Sequence, residues 1–187
     1  MALLSAIFVV VYGGCNWLAS QRRHTLRLYF DWELFIPLAP WMIWIYLSLF
    51  ALFVLPVFCL NRDALLLLSK RIALGVMVSG AAFLLLPAQL GFARAASPEG
   101  LFAAIYALDH PHNLVPSLHV IMSGLILGAL LEPSPPRLRN VFAAWFVLIC
   151  ASVVLVHQHH VLDVIAGLLV TWVLIRSVRH PFRGKRE

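Results

Sequence analysis

Two short segments of the sequence carry side chains that could perform chemistry together. The first is residues 116–119, Pro-Ser-Leu-His, and the second is residues 157–163, His-Gln-His-His-Val-Leu-Asp. His159 and Asp163 are four residues apart, so a helix would place both on one face and let the carboxylate accept a bond from one imidazole nitrogen. The other nitrogen would then be basic. We therefore expect His159 to act as a nucleophile, a general base or a metal ligand.

The Pro-Ser segment offers the complementary parts. Pro116 suits the first turn of a helix, where Ser117 and the unpaired backbone N–H groups form a seat for an oxyanion or a phosphate. His119 adds a second imidazole in the same turn. Either segment alone would be ordinary structure, but together they supply a phosphate seat, an oriented imidazole and a proton donor. These are the parts needed for phosphoryl transfer.

The composition indicates which elements must position these residues. Hydrophobic residues make up 62% of the 187 residues and charged residues 12%, with a mean hydropathy of +0.91. A soluble domain of this size could not bury so much apolar surface, and a disordered chain would need far more charge. The net charge of +6 lies in short clusters between apolar runs, which favours membrane orientation over nucleic-acid binding.

Reading the chain for uncharged runs predicts an all-α, polytopic membrane protein with six transmembrane helices in a single domain, residues 1–187. The expected spans are roughly 1–19, 34–60, 72–92, 114–131, 141–156 and 161–178, from the usual length of about 20 apolar residues. The first run lacks a basic leader, so we interpret it as a helix and not as a signal peptide. Pro37 and Pro40 predict a non-helical or interfacial entry to the second run.

The distribution of basic residues predicts the orientation of this bundle. Ten of the 14 Lys and Arg residues lie on the side that holds both termini, and four lie on the other side, namely Arg22, Arg23, Arg27 and Arg94. The positive-inside rule then places both termini in the cytoplasm and the two chemical segments on the extracytoplasmic side. The loop that contains Asp31 and Glu33 faces the same compartment and could cap the site. A bacterial inner membrane is the simplest setting.

These residues resemble the type 2 phosphatidic acid phosphatase superfamily of membrane enzymes. Its members share three motifs, Lys-x6-Arg-Pro, Pro-Ser-x-His and Ser-Arg-x5-His-x3-Asp. Residues 116–119 match the second motif fully. In the third motif, Ser152, His159 and Asp163 stand at the family spacing, while Val153 occupies the arginine position.

Of the three motifs, the first matches this sequence at the fewest positions. Arg94 stands at its arginine position, but Pro87 replaces the lysine and Ala95 replaces the proline. Losing two phosphate-binding cations argues for a specialised branch. Residues 158–163, with Ile-Pro-Leu-Ala-Pro-Trp at 36–41, resemble the branch that includes inositol phosphorylceramide synthases and bacterial relatives.

The resemblance implies a lipid phosphatase or lipid phosphotransferase that acts at the outer leaflet without a cofactor or metal. Its substrate would be a lipid phosphate or a phospholipid within the bilayer. His159 would form a phosphohistidine, Asp163 would orient it, and His119 would protonate the leaving oxygen. Ser117 and Arg94 would hold the phosphate.

Three further interpretations stay open from the sequence. We infer that His157 or His160 supplies part of the missing positive charge, although a packing role fits these residues equally well. A metal-binding membrane protein could instead use His157, His159, His160 and Asp163 as ligands. A non-enzymatic transporter or scaffold derived from such an enzyme would explain the lost cations.

Overall fold

The computed structural model describes residues 2–22, 24–94, 99–108 and 113–179, and the regular elements in this part of the chain are helices. The α-helices are α1 (Ala2–Ser20), α2 (Ile43–Leu47), α3 (Leu49–Cys59), α4 (Arg62–Leu85), α5 (Gly100–Leu108), α6 (Leu118–Leu131), α7 (Pro136–Leu155) and α8 (Val161–Ser177). Two 3₁₀ helices, Asp31–Phe35 and Pro40–Met42, precede α2. The all-α prediction is confirmed.

Three helical segments within the described residues are long and apolar enough to cross a membrane. They are Pro40–Cys59, Arg62–Leu85 and Pro136–Leu155. The helix α6 is shorter, because its 14 residues extend only about 21 Å, less than a bilayer core of about 30 Å. These apolar helices suit a membrane protein.

The observed helix boundaries correct several predicted spans. The third span, predicted at 72–92, is α4 at Arg62–Leu85, because Asn61 caps the helix by accepting a 2.9 Å bond from the Ala64 N–H. Charged residues such as Lys70 and Arg71 therefore lie within the helix and do not precede it. Beyond α4 the chain is a loop, in which Ala88 forms an isolated parallel β-bridge with Leu26.

Two other regions also differ from the prediction. In the run 34–60, the first two residues end the 3₁₀ helix Asp31–Phe35, residues 36–39 are not helical, and helical structure resumes at Pro40, so a non-helical entry is present. The fourth span begins at Leu118, not at 114. The helix α5 lies between the third and fourth predicted spans, where the sequence predicts no transmembrane helix.

The core of the described structure is built around α6, which packs against α3, α4, α7 and α8. Its sequence is apolar on nearly every side, as expected for a helix surrounded by others. Gly124 permits close packing, because a Cβ at this position would lie 2.8 Å from Thr171 Cγ2 of α8 and 3.0 Å from the Phe146 ring of α7. The three helices that carry the second and third motifs therefore approach one another closely at Gly124.

The relative directions of these helices bring one end of each together. The N termini of α6 and α8 and the C terminus of α7 share one end of the bundle, where the Ser117 N–H donates a 3.0 Å bond to the Asp163 carbonyl. At the opposite end, the Arg71 guanidinium of α4 donates to the carbonyls of Ile175 and Val178 at the C terminus of α8. A cation at this position satisfies carbonyls that lack an intrahelical partner.

Candidate active site

The turn between α7 and α8 sets the direction of the candidate nucleophile. The Gln158 N–H donates to the Val153 carbonyl at 3.1 Å and the His157 N–H to the Val154 carbonyl at 2.9 Å, the paired bonds of a Schellman motif. His157 has a φ of 57°, the left-handed conformation that this motif requires. The His159 N–H also donates to the Val153 carbonyl, at 2.9 Å. The end of α7 thus holds the backbone of His159.

His159 and Asp163 form a buried pair across the first turn of α8. Their Nδ1 and Oδ2 atoms are 3.2 Å apart, and the same Oδ2 accepts a 2.8 Å bond from the His160 N–H. Because a carboxylate oxygen only accepts, Nδ1 of His159 carries a proton and Nε2 presents its lone pair. This arrangement gives the imidazole the tautomer that a nucleophile at Nε2 needs.

The Pro-Ser segment lies beside this pair. The ring of His119 has its centroid 6.4 Å from that of His159, with the two planes tilted by 58°. On its other side, His119 stacks on Tyr46 of α2 at a centroid distance of 4.0 Å. The structure therefore brings together the two imidazoles that are 40 positions apart in the sequence.

Two polar atoms at this position are buried without a protein partner. Within the described residues, neither the Ser117 hydroxyl nor His119 Nε2 has a hydrogen-bond partner. Leaving a buried polar atom unpaired costs about 1–3 kcal/mol, so such atoms in a native structure require an explanation. A phosphate oxygen could accept a bond from the hydroxyl and from a protonated imidazole, which would satisfy both.

Arg94 reaches the same turn from the loop after α4. Its Nη2 donates to Gln158 Oε1 at 3.2 Å, and its guanidinium lies 4.5 Å from the centroid of the Tyr106 ring of α5. A guanidinium held in this way is a suitable anion-binding group. The sequence separation between Arg94 and residue 158 gives no hint of this contact.

His160 is fully buried and both of its ring nitrogens are engaged. The Gly91 N–H donates to Nε2 at 3.0 Å, and Nδ1 lies 3.1 Å from Glu33 Oε2. Burial lowers the pKa of His160, while the carboxylates of Asp163 and Glu33 raise it. This geometry assigns the ring a structural role and leaves it poorly placed to bind phosphate.

The ring of His157 also makes a hydrogen bond and a stacking contact with neighbouring residues. Its Nε2 lies 2.9 Å from the carbonyl oxygen of Ile36, to which it donates, and its ring stacks on Phe92 at 4.0 Å. Burial lowers the pKa of His157, and the bond to Ile36 opposes that effect. That His157 supplies part of the missing positive charge stays a prediction.

The same geometry bears on the metal-binding interpretation. His157, His159 and His160 bond to Ile36, Asp163 and Glu33 respectively, so their rings do not converge on one point. In the part of the chain that is described, no group of three or more His, Cys, Asp or Glu side chains is arranged to hold a metal ion.

Comparison with sequence models of known families gives one match that covers this site. A sequence model of the PAP2 superfamily matches residues 93–186, which include Arg94, Ser117, His119, His159 and Asp163. The chain belongs to the PAP2 superfamily. Comparisons with curated proteins and with solved structures gave no match. Membership implies phosphatase or phosphotransferase activity at a membrane.

Two positions at which the superfamily motifs have a Lys or an Arg carry uncharged residues in this chain, and both residues contribute to packing and backbone bonding. Val153 is fully buried in an apolar cluster that includes Tyr46, and its carbonyl accepts the two bonds that shape the 157–160 turn. Pro87 is buried in the loop after α4, where its carbonyl accepts a 2.6 Å bond from the Leu26 N–H. Apolar packing in the cluster that contains Tyr46 has thus replaced one of the expected charges.

The sequence assigns no site role to two residues of this region. Tyr46 is buried against His119, while the neighbouring Trp41 and Trp44 are exposed. Gly167 permits α8 to approach the second motif, because a Cβ there would lie 3.0 Å from the Ser117 carbonyl oxygen. Glu33 lies in the loop that the sequence predicts could cap the site, but no sequence pattern indicates its contact with His160.

Proposed function

We propose that this protein is an integral membrane lipid phosphatase or lipid phosphotransferase that cleaves a phosphate ester through a phosphohistidine at His159. The observation that carries the proposal is the buried His159–Asp163 pair lying beside His119 and the unpartnered Ser117 hydroxyl. Membership of the PAP2 superfamily supports phosphatase or phosphotransferase chemistry.

In the first half-reaction, Nε2 of His159 forms a bond to phosphorus while the bond to the leaving oxygen breaks. The electron pair stays on the leaving oxygen, which takes a proton from His119. Asp163 stabilises the positive charge that the phosphorylated imidazole acquires, by accepting the bond from Nδ1–H. Ser117 and Arg94 hold the phosphate oxygens.

In the second half-reaction, an acceptor hydroxyl attacks phosphorus and the electron pair returns to Nε2 of His159. His119 takes the proton from the acceptor, and so is restored for the next cycle. Water as the acceptor gives free phosphate, whereas a lipid alcohol gives a new phospholipid. Every proton and electron pair is accounted for by protein groups and substrate, so this route requires no metal.

Headgroup transfer between lipids is the second candidate, and the lost cations favour it. A phosphate monoester carries up to two negative charges and a phosphodiester carries one. With Pro87 and Val153 in place of two cations, the site offers less charge compensation than the superfamily motifs provide. A phosphodiester substrate needs less positive charge in the site than a phosphate monoester does. This agrees with the resemblance to the inositol phosphorylceramide synthase branch.

The proposal includes a six-span topology with the site on the extracytoplasmic side of a bacterial inner membrane. The ends of α6, α7 and α8 that carry the motifs lie opposite the end held by Arg71. The excess of basic residues on the latter side supports a cytoplasmic location for it. The substrate would therefore be drawn from the outer leaflet.

The test is to incubate the purified protein with labelled phospholipids and isoprenoid phosphates and to identify the products. Free phosphate indicates a phosphatase and a new phospholipid indicates a transferase. His159→Ala should abolish turnover and the acid-labile phosphoenzyme, whereas the control His24→Ala, an exposed histidine outside the site, should change neither. Unchanged turnover in His159→Ala would refute the proposed function.

A further inference from the structure

The 3₁₀ helix Asp31–Phe35 inserts one buried carboxylate between exposed apolar side chains. Trp32 is 56% exposed and Phe35 is 86% exposed, whereas Glu33 is 0% exposed. A buried carboxylate is costly unless it is well paired, so its partners matter. Residue 33 lies outside the 93–186 match, and the superfamily motifs assign it no role.

Three N–H groups surround the Glu33 carboxylate. Oε2 accepts a 2.8 Å bond from the Val161 N–H and lies 3.1 Å from His160 Nδ1, and Oε1 accepts a 3.0 Å bond from the Phe30 N–H. Val161 is the first residue of α8. Glu33 therefore satisfies an N–H group that has no partner within that helix, at the end where a negative charge is favourable.

The ring of His160 is fixed between Glu33 and the loop after α4. Because the Gly91 N–H donates to Nε2, the proton of a neutral ring lies on Nδ1 and is donated to Glu33. Tyr29 and Phe92 stack on His160 at 4.4 and 4.5 Å. A side chain at Gly91 would collide with the Tyr29 ring, since its Cβ would lie 2.4 Å from Tyr29 Cζ.

This network connects directly to the candidate nucleophile. The His160 N–H donates to Asp163 Oδ2, the same oxygen that accepts the bond from His159 Nδ1. Glu33 holds the side chain of His160 and the N–H of Val161, so it restrains the backbone on the C-terminal side of His159. A shift of that backbone would change the distance between the imidazole and its orienting carboxylate.

We propose that Glu33 is a positioning residue for the nucleophile, acting through His160. The inference rests on the proposed function, because it takes His159 as the residue that is phosphorylated. The exposed aromatic side chains beside Glu33 belong to the same turn, so the nucleophile is tied to a segment with a strongly apolar outer surface. The three bonds of the Glu33 carboxylate go to Phe30, His160 and Val161, none of which is a proposed phosphate-binding residue.

The test compares Glu33→Ala and Glu33→Gln with the control Asp31→Asn. Asp31 lies on the same 3₁₀ helix, but its side chain is 81% exposed and pairs with Arg27. In Glu33→Ala, kcat should fall by about tenfold or more while KM stays within about twofold, because a displaced nucleophile slows chemistry and leaves phosphate binding intact. Glu33→Gln keeps one acceptor oxygen and should restore part of the rate.

Rates are expressed per competent site. The number of competent sites is taken as the maximum amount of phosphohistidine that each variant forms. This measurement separates positioning from partial unfolding, since a purely structural role would lower the number of sites and leave kcat per site unchanged. The rate of the double variant Glu33→Ala/His160→Ala should lie within about twofold of the rate of the slower single variant. The reason is that the effects of substitutions within one hydrogen-bond network do not add.

An unchanged kcat per site in Glu33→Ala, or fully additive losses in the double variant, would overturn the inference. Such a result would leave the proposed function intact as long as His159→Ala is inactive. Conversely, activity in His159→Ala would refute the proposed function whatever the Glu33 variants do. If Glu33→Ala does not fold, the comparison of Glu33→Gln with Asp31→Asn decides the question by the same kcat and KM criteria.

Discussion

At the residue scale, the site depends on one carboxylate oxygen that serves two donors. Asp163 Oδ2 accepts from the His159 ring and from the His160 N–H. The first bond selects the tautomer of the proposed nucleophile, His159, and the second fixes the carboxylate relative to the backbone. The chemical and structural functions of Asp163 therefore cannot be separated by removing the side chain.

Replacing Asp163 by Asn tests the charge of the orienting group. The Asn oxygen would face the His160 N–H and therefore also Nδ1, because one oxygen accepts from both groups. The tautomer would be kept, while the negative charge that stabilises a phosphorylated imidazole would be lost. We expect phosphoenzyme formation to slow by about tenfold or more, because hydrogen bonds to charged groups contribute more than neutral ones. Rapid-quench measurement of the phosphoenzyme gives this rate, and a loss smaller than about threefold would show that the carboxylate charge does not assist the reaction.

The role of His119 can be tested by the choice of leaving group. A departing lipid alkoxide needs a proton and an activated aryl oxide hardly does, so His119→Ala should slow a lipid phosphate far more than an aryl phosphate. General acid catalysis typically contributes about 100- to 10,000-fold. His159→Ala should inactivate the protein toward both substrates. Equal losses on both substrates in His119→Ala would indicate a phosphate-binding or packing role for that imidazole.

At the scale of elements, the site depends on how closely α8 approaches the N terminus of α6. Gly167 lies four residues after Asp163, and a Cβ there would be 3.0 Å from both the Ser117 carbonyl oxygen and Val120 Cβ. Neither atom is at the end of a flexible side chain, so the helices themselves would have to move. The distance between the second and third motifs is therefore set by a residue that takes no part in the chemistry.

Gly167→Ala should separate Ser117 from the His159–Asp163 pair. We expect kcat to fall by about tenfold or more, because small displacements of reacting groups are costly. Gly13→Ala in α1 is the matched control, since a Cβ at that position would meet nothing within 4 Å, and Ala should favour the helix by up to about 1 kcal/mol. Steady-state kinetics and thermal unfolding of both variants provide the comparison. Equal kinetics in the two variants would show that the contact does not position the site.

At the scale of the whole molecule, orientation in the membrane determines which leaflet supplies the substrate. Asp31 and Asp63 are both exposed and lie on opposite predicted sides. In a background with Cys15, Cys59 and Cys150 replaced by Ala, Asp31→Cys should react with a membrane-impermeant maleimide in intact spheroplasts. Asp63→Cys should react only in inverted vesicles. The reverse pattern would place the site at the cytoplasmic leaflet.

The features that could be predicted from the sequence are local or compositional. The spacing of His159 and Asp163 requires only one helical turn, and residues 116–119 are contiguous, so both parts of the site could be identified before any folding was known. Composition alone indicated an all-α membrane protein. The boundaries of α4 were missed because the prediction sought uncharged runs, whereas an Asn61 cap extends the helix through charged residues.

The features that only the tertiary structure decided join residues far apart in the chain. Glu33 meets His160 across 127 positions, and Arg94 meets Gln158 across 64. No periodicity encodes such contacts, since they depend on which helix ends lie together. The sequence by itself determined the candidate reactive groups and their apolar setting, because those follow from side-chain chemistry and helical spacing. Packing decided which groups face the substrate region and which, like His157 and His160, are held by their neighbours.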